Sequence, residues 1–183
     1  MKKVSNFIVV TIAAMAFSFM SINAQGFSNE ASATAIGQEV HKRILRLPRY
    51  ELYDHIGFEV KGDTVTLNGS VRNAINRSDA EGTVKRISGV NHVINNIQLL
   101  PLSGFDDQIR RTLTQRIANT GGLSGYLWPV NPPVRLIVNN GHISLEGKVR
   151  NRGDYNMMYI AARSVPSSFT VTNNLVVEND VAR

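Results

Sequence analysis

The 183-residue chain contains no cysteine, which excludes a disulfide framework, a thiolate metal site, a cysteine nucleophile and a lipid-modified cysteine. It has a single tryptophan, Trp128. The histidines His41, His55, His92 and His142 show neither the i,i+4 pairing nor the neighbouring carboxylates of a zinc site. Gly122-Leu123-Ser124-Gly125 lacks the final glycine of a nucleophile elbow, because Tyr126 stands there, and no Lys-Ser or Lys-Thr follows it as in a phosphate loop. Asp63, Glu146 and Asp154 read as turn, strand-edge and cap residues. No catalytic set emerges, so the expectation is a chain that is not an enzyme and that needs no cofactor and no metal.

What the chain does have is a start with the layout of an export signal. Lys2 and Lys3 precede an almost unbroken apolar run, Phe7 to Phe19, and Ser21-Ile22-Asn23-Ala24 offers a cleavage site after Ala24. The run is short and wrongly flanked for a membrane span. Residues 1–24 are therefore expected to be a signal peptide, and 25–34 a small, polar, flexible lead-in. The formal charge of +6 favours anionic partners, and export makes nucleic acid a poor one.

The chain then says one phrase twice. Val65-Thr66-Leu67-Asn68-Gly69-Ser70-Val71-Arg72-Asn73 returns 78 positions later as Ile143-Ser144-Leu145-Glu146-Gly147-Lys148-Val149-Arg150-Asn151. Each copy alternates apolar and polar residues, as a half-buried strand does. Gly69 and Gly147 take the same slot on the apolar face, where glycine costs stability unless a bulge, a bend or a close backbone approach requires it. Ahead of the phrase, Ile36, Val40, Ile44 and Leu47 form one helical stripe ended by Pro48. Lys42, Arg43, Arg46 and Arg49 read as a solvated helix surface more readily than as a phosphate site. After the phrase, a helix capped by Ser78 is expected to bury Ala80, Val84 and Ile87, with Gly89 as its left-handed end. A strand from His92 to Leu100 closes the unit. Asn95 breaks its alternation and Asn173 repeats the break, which predicts a structural bond to an unpaired backbone group. The order is helix, strand, strand, helix, strand.

After a linker at 101–104, Asp106 is expected to cap a helix burying Ile109, Leu113 and Ile117, with Arg110, Arg111 and Arg116 outward. This helix matches the first at an offset of 69, whereas from Leu136 onward the offset is 78, so the second copy holds an insertion within 121–133. That insertion carries Tyr126, Leu127 and Trp128 among glycines and prolines, a candidate membrane or partner anchor. The alternative is that Trp128 folds back over its own sheet or over the joint between the copies. The last helix differs from its counterpart. Tyr155, Met157, Tyr159 and Ile160 stand where the first copy has Arg77, Asp79, Glu81 and Gly82. An interaction surface, against the first copy or another molecule, is expected there.

With the glycine phrase, the helix after it and the terminal Val-x-Asn-Asn strand in view, each copy resembles a BON domain. Gly89-Val90 also matches the family's Gly-Val, whereas the second copy departs with Pro166-Ser167-Ser168. The chain is similar to the dual-BON periplasmic proteins, some induced by osmotic stress and some maintaining the outer membrane. The resemblance implies an α+β protein of two tandem αββαβ modules, at 35–100 and 105–178, with a tail at 179–183. Each module would be a three-stranded mixed sheet covered by two helices. It also implies a non-enzymatic protein of the Gram-negative periplasm that binds phospholipid and supports envelope integrity. The second module is the expected lipid contact, through Arg110, Arg111, Arg116, Tyr126, Leu127 and Trp128. Protein interaction, self-association and a chaperone-like role on envelope proteins stay open.

Overall fold

The computed structural model describes residues 24–128 and 130–178. The expected signal peptide (apart from Ala24) and the tail at 179–183 lie outside them. Among the described residues no helix is long and apolar enough to cross a membrane. The first helix, α1 (Ala24–Ile44), takes in the whole stretch expected to be a flexible lead-in. No proline interrupts that stretch, and Ala31, Ala33 and Ala35 have the highest intrinsic helix propensity.

In the first module, β1 (His55–Lys61) pairs antiparallel with β2 (Thr64–Val71). After α2 (Ala74–Val84) the chain returns parallel to β2 in two pieces, β3 (His92–Asn95) and β4 (Gln98–Leu99). The expected three-stranded sheet thus has a broken third strand. At the break, the Asn95 side-chain carbonyl accepts from the amide of Ile97 at 3.1 Å, and its amide donates to the carbonyl of Arg77 on α2 at 3.0 Å.

The second module repeats the plan. α3 (Gly104–Asn119) leads through a 3-10 turn (Ser124–Tyr126) to β5 (Val134–Asn139), which pairs antiparallel with β6 (His142–Val149). After α4 (Arg152–Arg163), β7 (Thr170–Val177) runs parallel to β6 without a gap. Asn173 accepts from the amide of Leu175, the same two-residue bond that Asn95 makes.

Each core forms where helix stripes meet the sheet. Val40, Ile44, Ala80 and Val84 bury against Val65, Leu67 and Val71, while Ile109, Leu113, Met158 and Ala162 bury against Leu136, Leu145 and Val149. The caps differ from expectation. Asn73, not Ser78, caps α2, and Asn151 caps α4, because the last residue of the repeated phrase is still extended and its side chain reaches back to the helix amides. Ser103, not Asp106, caps α3. The Asp106 carboxylate is fully buried and accepts the amides of Asn140 and Gly141, each at 2.8 Å, in the β5–β6 turn. Gly89 is left-handed (φ 87°), but it lies in the turn after α2 and not at the helix end.

The modules join through β5. Its burial is nearly continuous, with the core on one face and the first module beyond the other. The amide of Leu136 donates to the carbonyl of Leu52 at 3.0 Å, so a loop of the first module covers this sheet edge. Arg135 donates to the carbonyl of Glu51 at 2.9 Å and stacks 4.2 Å over the ring of Tyr50. Tyr53 bonds Thr114 on α3 at 2.9 Å, and Arg72 reaches Asp107 at 3.1 Å. α4, expected as one face of this joint, packs instead on α3, β6 and β7 of its own module.

The phrase glycines are required. Gly69 (φ 117°) and Gly147 (φ 110°) occupy the region that L side chains avoid, and a Cβ there would collide with the carbonyls of His55 and Pro133 respectively. Gly147→Ala is expected to cost at least about 2 kcal/mol in urea denaturation. Gly121→Ala, with open space around it and no such φ, should stay within about 0.5 kcal/mol.

His55 lies at the joint. Burial lowers its pKa, opposed by Glu146 and reinforced by Arg135. The unfolded chain therefore takes up the proton first as pH falls through about 6.5, and native stability falls with it. The urea midpoint should drop from pH 7 to pH 5.5, and His55→Gln should flatten that drop; an equal drop in the variant would exclude His55 as its source.

Candidate functional site

The insertion folds as a pinned loop with an exposed tip. Leu123, Tyr126 and Leu127 are buried in the second core, whereas Trp128 is 65% and Val130 94% exposed. The pin is polar as well as apolar. The Tyr126 hydroxyl accepts from the Arg150 backbone amide and from its guanidinium, each at 3.0 Å, and donates to the buried carboxylate of Asp154. That bond to Tyr126 raises the pKa of the Arg150 guanidinium, which stays cationic.

The first module solves the same problem with other residues. There the amide of Arg72 donates to Asp54 at 2.7 Å, and Asn76 donates to the second Asp54 oxygen at 2.8 Å. Arg72 and Asn76 correspond to Arg150 and Asp154. The acid has moved from loop to helix, and the insertion supplies a phenol where the first loop supplies the carboxylate. A partly buried amide at the strand–helix junction needs an acceptor in either case.

The expected lipid contacts separate under this geometry. Arg110 is 2% exposed and donates to Asp107 at 2.7 Å and to the carbonyl of Val138 at 2.6 Å. Together with the buried Tyr126 and Leu127, it is corrected from surface contact to scaffold. Arg110 falls on the core stripe, next to Ile109 and one turn from Asp106 and Leu113, so its guanidinium is held by the half-exposed Asp107 and the Val138 carbonyl. Arg111, Arg116 and Trp128 are exposed as expected. Two cations were missed. Lys148 and Arg150 border a shallow pocket of 250 Å³ with Gly125, Tyr126, Pro133 and the carboxylate-bearing Glu178. They close the repeated phrase, whose regular alternation reads as scaffold alone.

A second surface lies on α4. Met157 and Ile160 are exposed, and Tyr155 and Tyr159 are half-buried beneath Arg152 and Arg163, whose guanidinium carbons stand 4.5 and 5.7 Å from the ring centres. Between α3 and α4 runs an open groove of 630 Å³. The matching groove between α1 and α2 is lined by charges of both signs, among them Glu39, Arg43, Asp79 and Arg86. Among the described residues no three His, Asp or Glu side chains could hold a metal ion.

A model of the BON domain matches residues 32–101 and again 105–179. The chain belongs to the BON family, as a tandem pair. BON domains are non-catalytic binding modules with membrane- and envelope-associated roles. No curated protein matches the chain. Among solved structures it is similar to CdsD, a structural protein of the type III secretion system of Chlamydia trachomatis, at 14% identity over 79% of this chain and 94% of that one, with a TM-score of 0.32. A structure of the CdsD C-terminal domain aligns at 14% identity over 76% and 96% of the two chains, with a TM-score of 0.30.

Tyr126→Phe removes the hydroxyl that serves both the Arg150 amide and Asp154. It should cost about 1–3 kcal/mol and lower the steady-state fluorescence anisotropy of Trp128, the sole tryptophan. Trp128→Ala should leave stability within about 0.5 kcal/mol. Unchanged anisotropy in Tyr126→Phe would mean that the apolar anchors hold the loop alone.

Proposed function

We propose that the chain is an exported, non-enzymatic envelope protein of the Gram-negative periplasm whose second BON module binds anionic phospholipid surfaces and so supports envelope integrity. The observation that carries this reading is the exposure of Trp128 and Val130 on a loop whose residues Tyr126 and Leu127 are buried. An amphipathic ring presented this way suits the headgroup level of a bilayer. Lys148 and Arg150 at the base of the loop, with Arg111 and Arg116 on α3, supply cations for lipid phosphates. The apolar run behind Lys2 and Lys3 supports export.

Co-sedimentation of the chain lacking residues 1–24 with liposomes tests the proposal. Binding to anionic vesicles should exceed binding to zwitterionic ones and weaken as salt rises. Trp128→Ala should lower the affinity at least about fivefold, corresponding to about 1 kcal/mol of buried ring. Failure to bind anionic vesicles at low salt, or equal binding by Trp128→Ala, would overturn it.

A further inference from the structure

We infer that the groove between α3 and α4 docks an amphipathic helix of a partner protein that carries acidic residues beside its apolar stripe. The groove lies apart from the Trp128 loop and shares only Arg116 with the membrane reading. Along α4 the groove is lined by Met157, Ile160, Ala161 and Ser164, spaced i, i+3, i+4 and i+7. Along α3 it is lined by pairs one turn apart, Arg116 with Thr120 and Gln115 with Asn119. Two neighbouring helices that offer such ridges leave the furrow into which the ridge of a third helix packs.

The shape and chemistry narrow the occupant. An extended peptide gains its affinity from backbone pairing at a sheet edge, and α3 and α4 spend their amides within the helices. An acyl chain would strip water from Gln115 and Asn119 without returning hydrogen bonds. A helix with polar flanks restores them.

Charge narrows it further. Arg116 borders the groove, and Arg163 stands one turn beyond Ile160, over the ring of Tyr159. Among the described residues neither arginine makes an ion pair, and no carboxylate lines the groove. A second copy docked face to face would set these arginines against their own counterparts, whereas acidic flanks would meet them. The groove of the first module has Asp79 and Gly82 where this one has Met157 and Ile160, so the feature belongs to the second module alone.

The test places the photoreactive residue p-benzoylphenylalanine at position 160 of the full chain, produced in cells. After irradiation, the crosslinked peptide is sequenced by mass spectrometry. The expected adduct is a segment of another protein with apolar residues at i, i+3, i+4 and i+7 and Asp or Glu alongside. Its yield should fall at least about tenfold in the Arg116→Glu, Arg163→Glu background, with native circular dichroism retained. The same probe at Gly82 should give no such adduct. Adducts only to lipid, adducts to this chain's own peptides, an acid-free segment, or no adduct would each overturn the inference. Lipid adducts alone would leave the Trp128 reading standing.

Discussion

In both modules the second strand passes so close to a carbonyl at or just ahead of the start of the preceding strand that no side chain fits between them. Gly69 faces the carbonyl of His55, and Gly147 faces that of Pro133. Each strand ends two residues beyond its glycine, at Val71 and Val149, and two residues further stands the asparagine that caps the following helix. Where the chain leaves the sheet, the partly buried amides of Arg72 and Arg150 each need an acceptor. One module answers with Asp54, the other with Tyr126. The display of Trp128 depends on that answer, because the residue that satisfies the amide lies two positions from the exposed ring.

The duplication was legible because its pattern is local. Alternation in the repeated phrase, helical stripes at Ile36–Leu47 and Ile109–Ile117, and the matching Asn95 and Asn173 all report a burial that neighbours in sequence decide. The modular plan and the scaffold roles of both glycines and both asparagines came from those signals. What misled was long-range. Arg110 looks like its exposed neighbour Arg111 until Asp107 and the Val138 carbonyl are placed beside it. Asp106 has the spacing of a cap, yet the amides of the distant β5–β6 turn claim its carboxylate. Tyr126 and Leu127 share a glycine- and proline-framed loop with Trp128, and only the packing separates the buried pair from the exposed ring.

The joint carries the same lesson. The apolar surface of α4 suggested a face for the first module, but β5 forms that contact. Its run Val134-Arg135-Leu136-Ile137-Val138 lacks clean alternation, the mark of a strand covered on both faces. With Tyr50 to Tyr53 occupying β5, the outer side of α4 stays free for other contacts. The two modules therefore have unequal work. The first closes a sheet edge of the second, and the second keeps an aromatic tip and a groove of mixed polar and apolar lining exposed.

The central claim is that Trp128 enters the interface of an anionic bilayer, and its own fluorescence measures this most directly. Vesicles carrying bromine at defined acyl depths should quench the emission most strongly at shallow positions, with a blue shift that appears only when the bilayer is anionic. Emission that neither shifts nor quenches while the protein is bound to the vesicles would contradict the account.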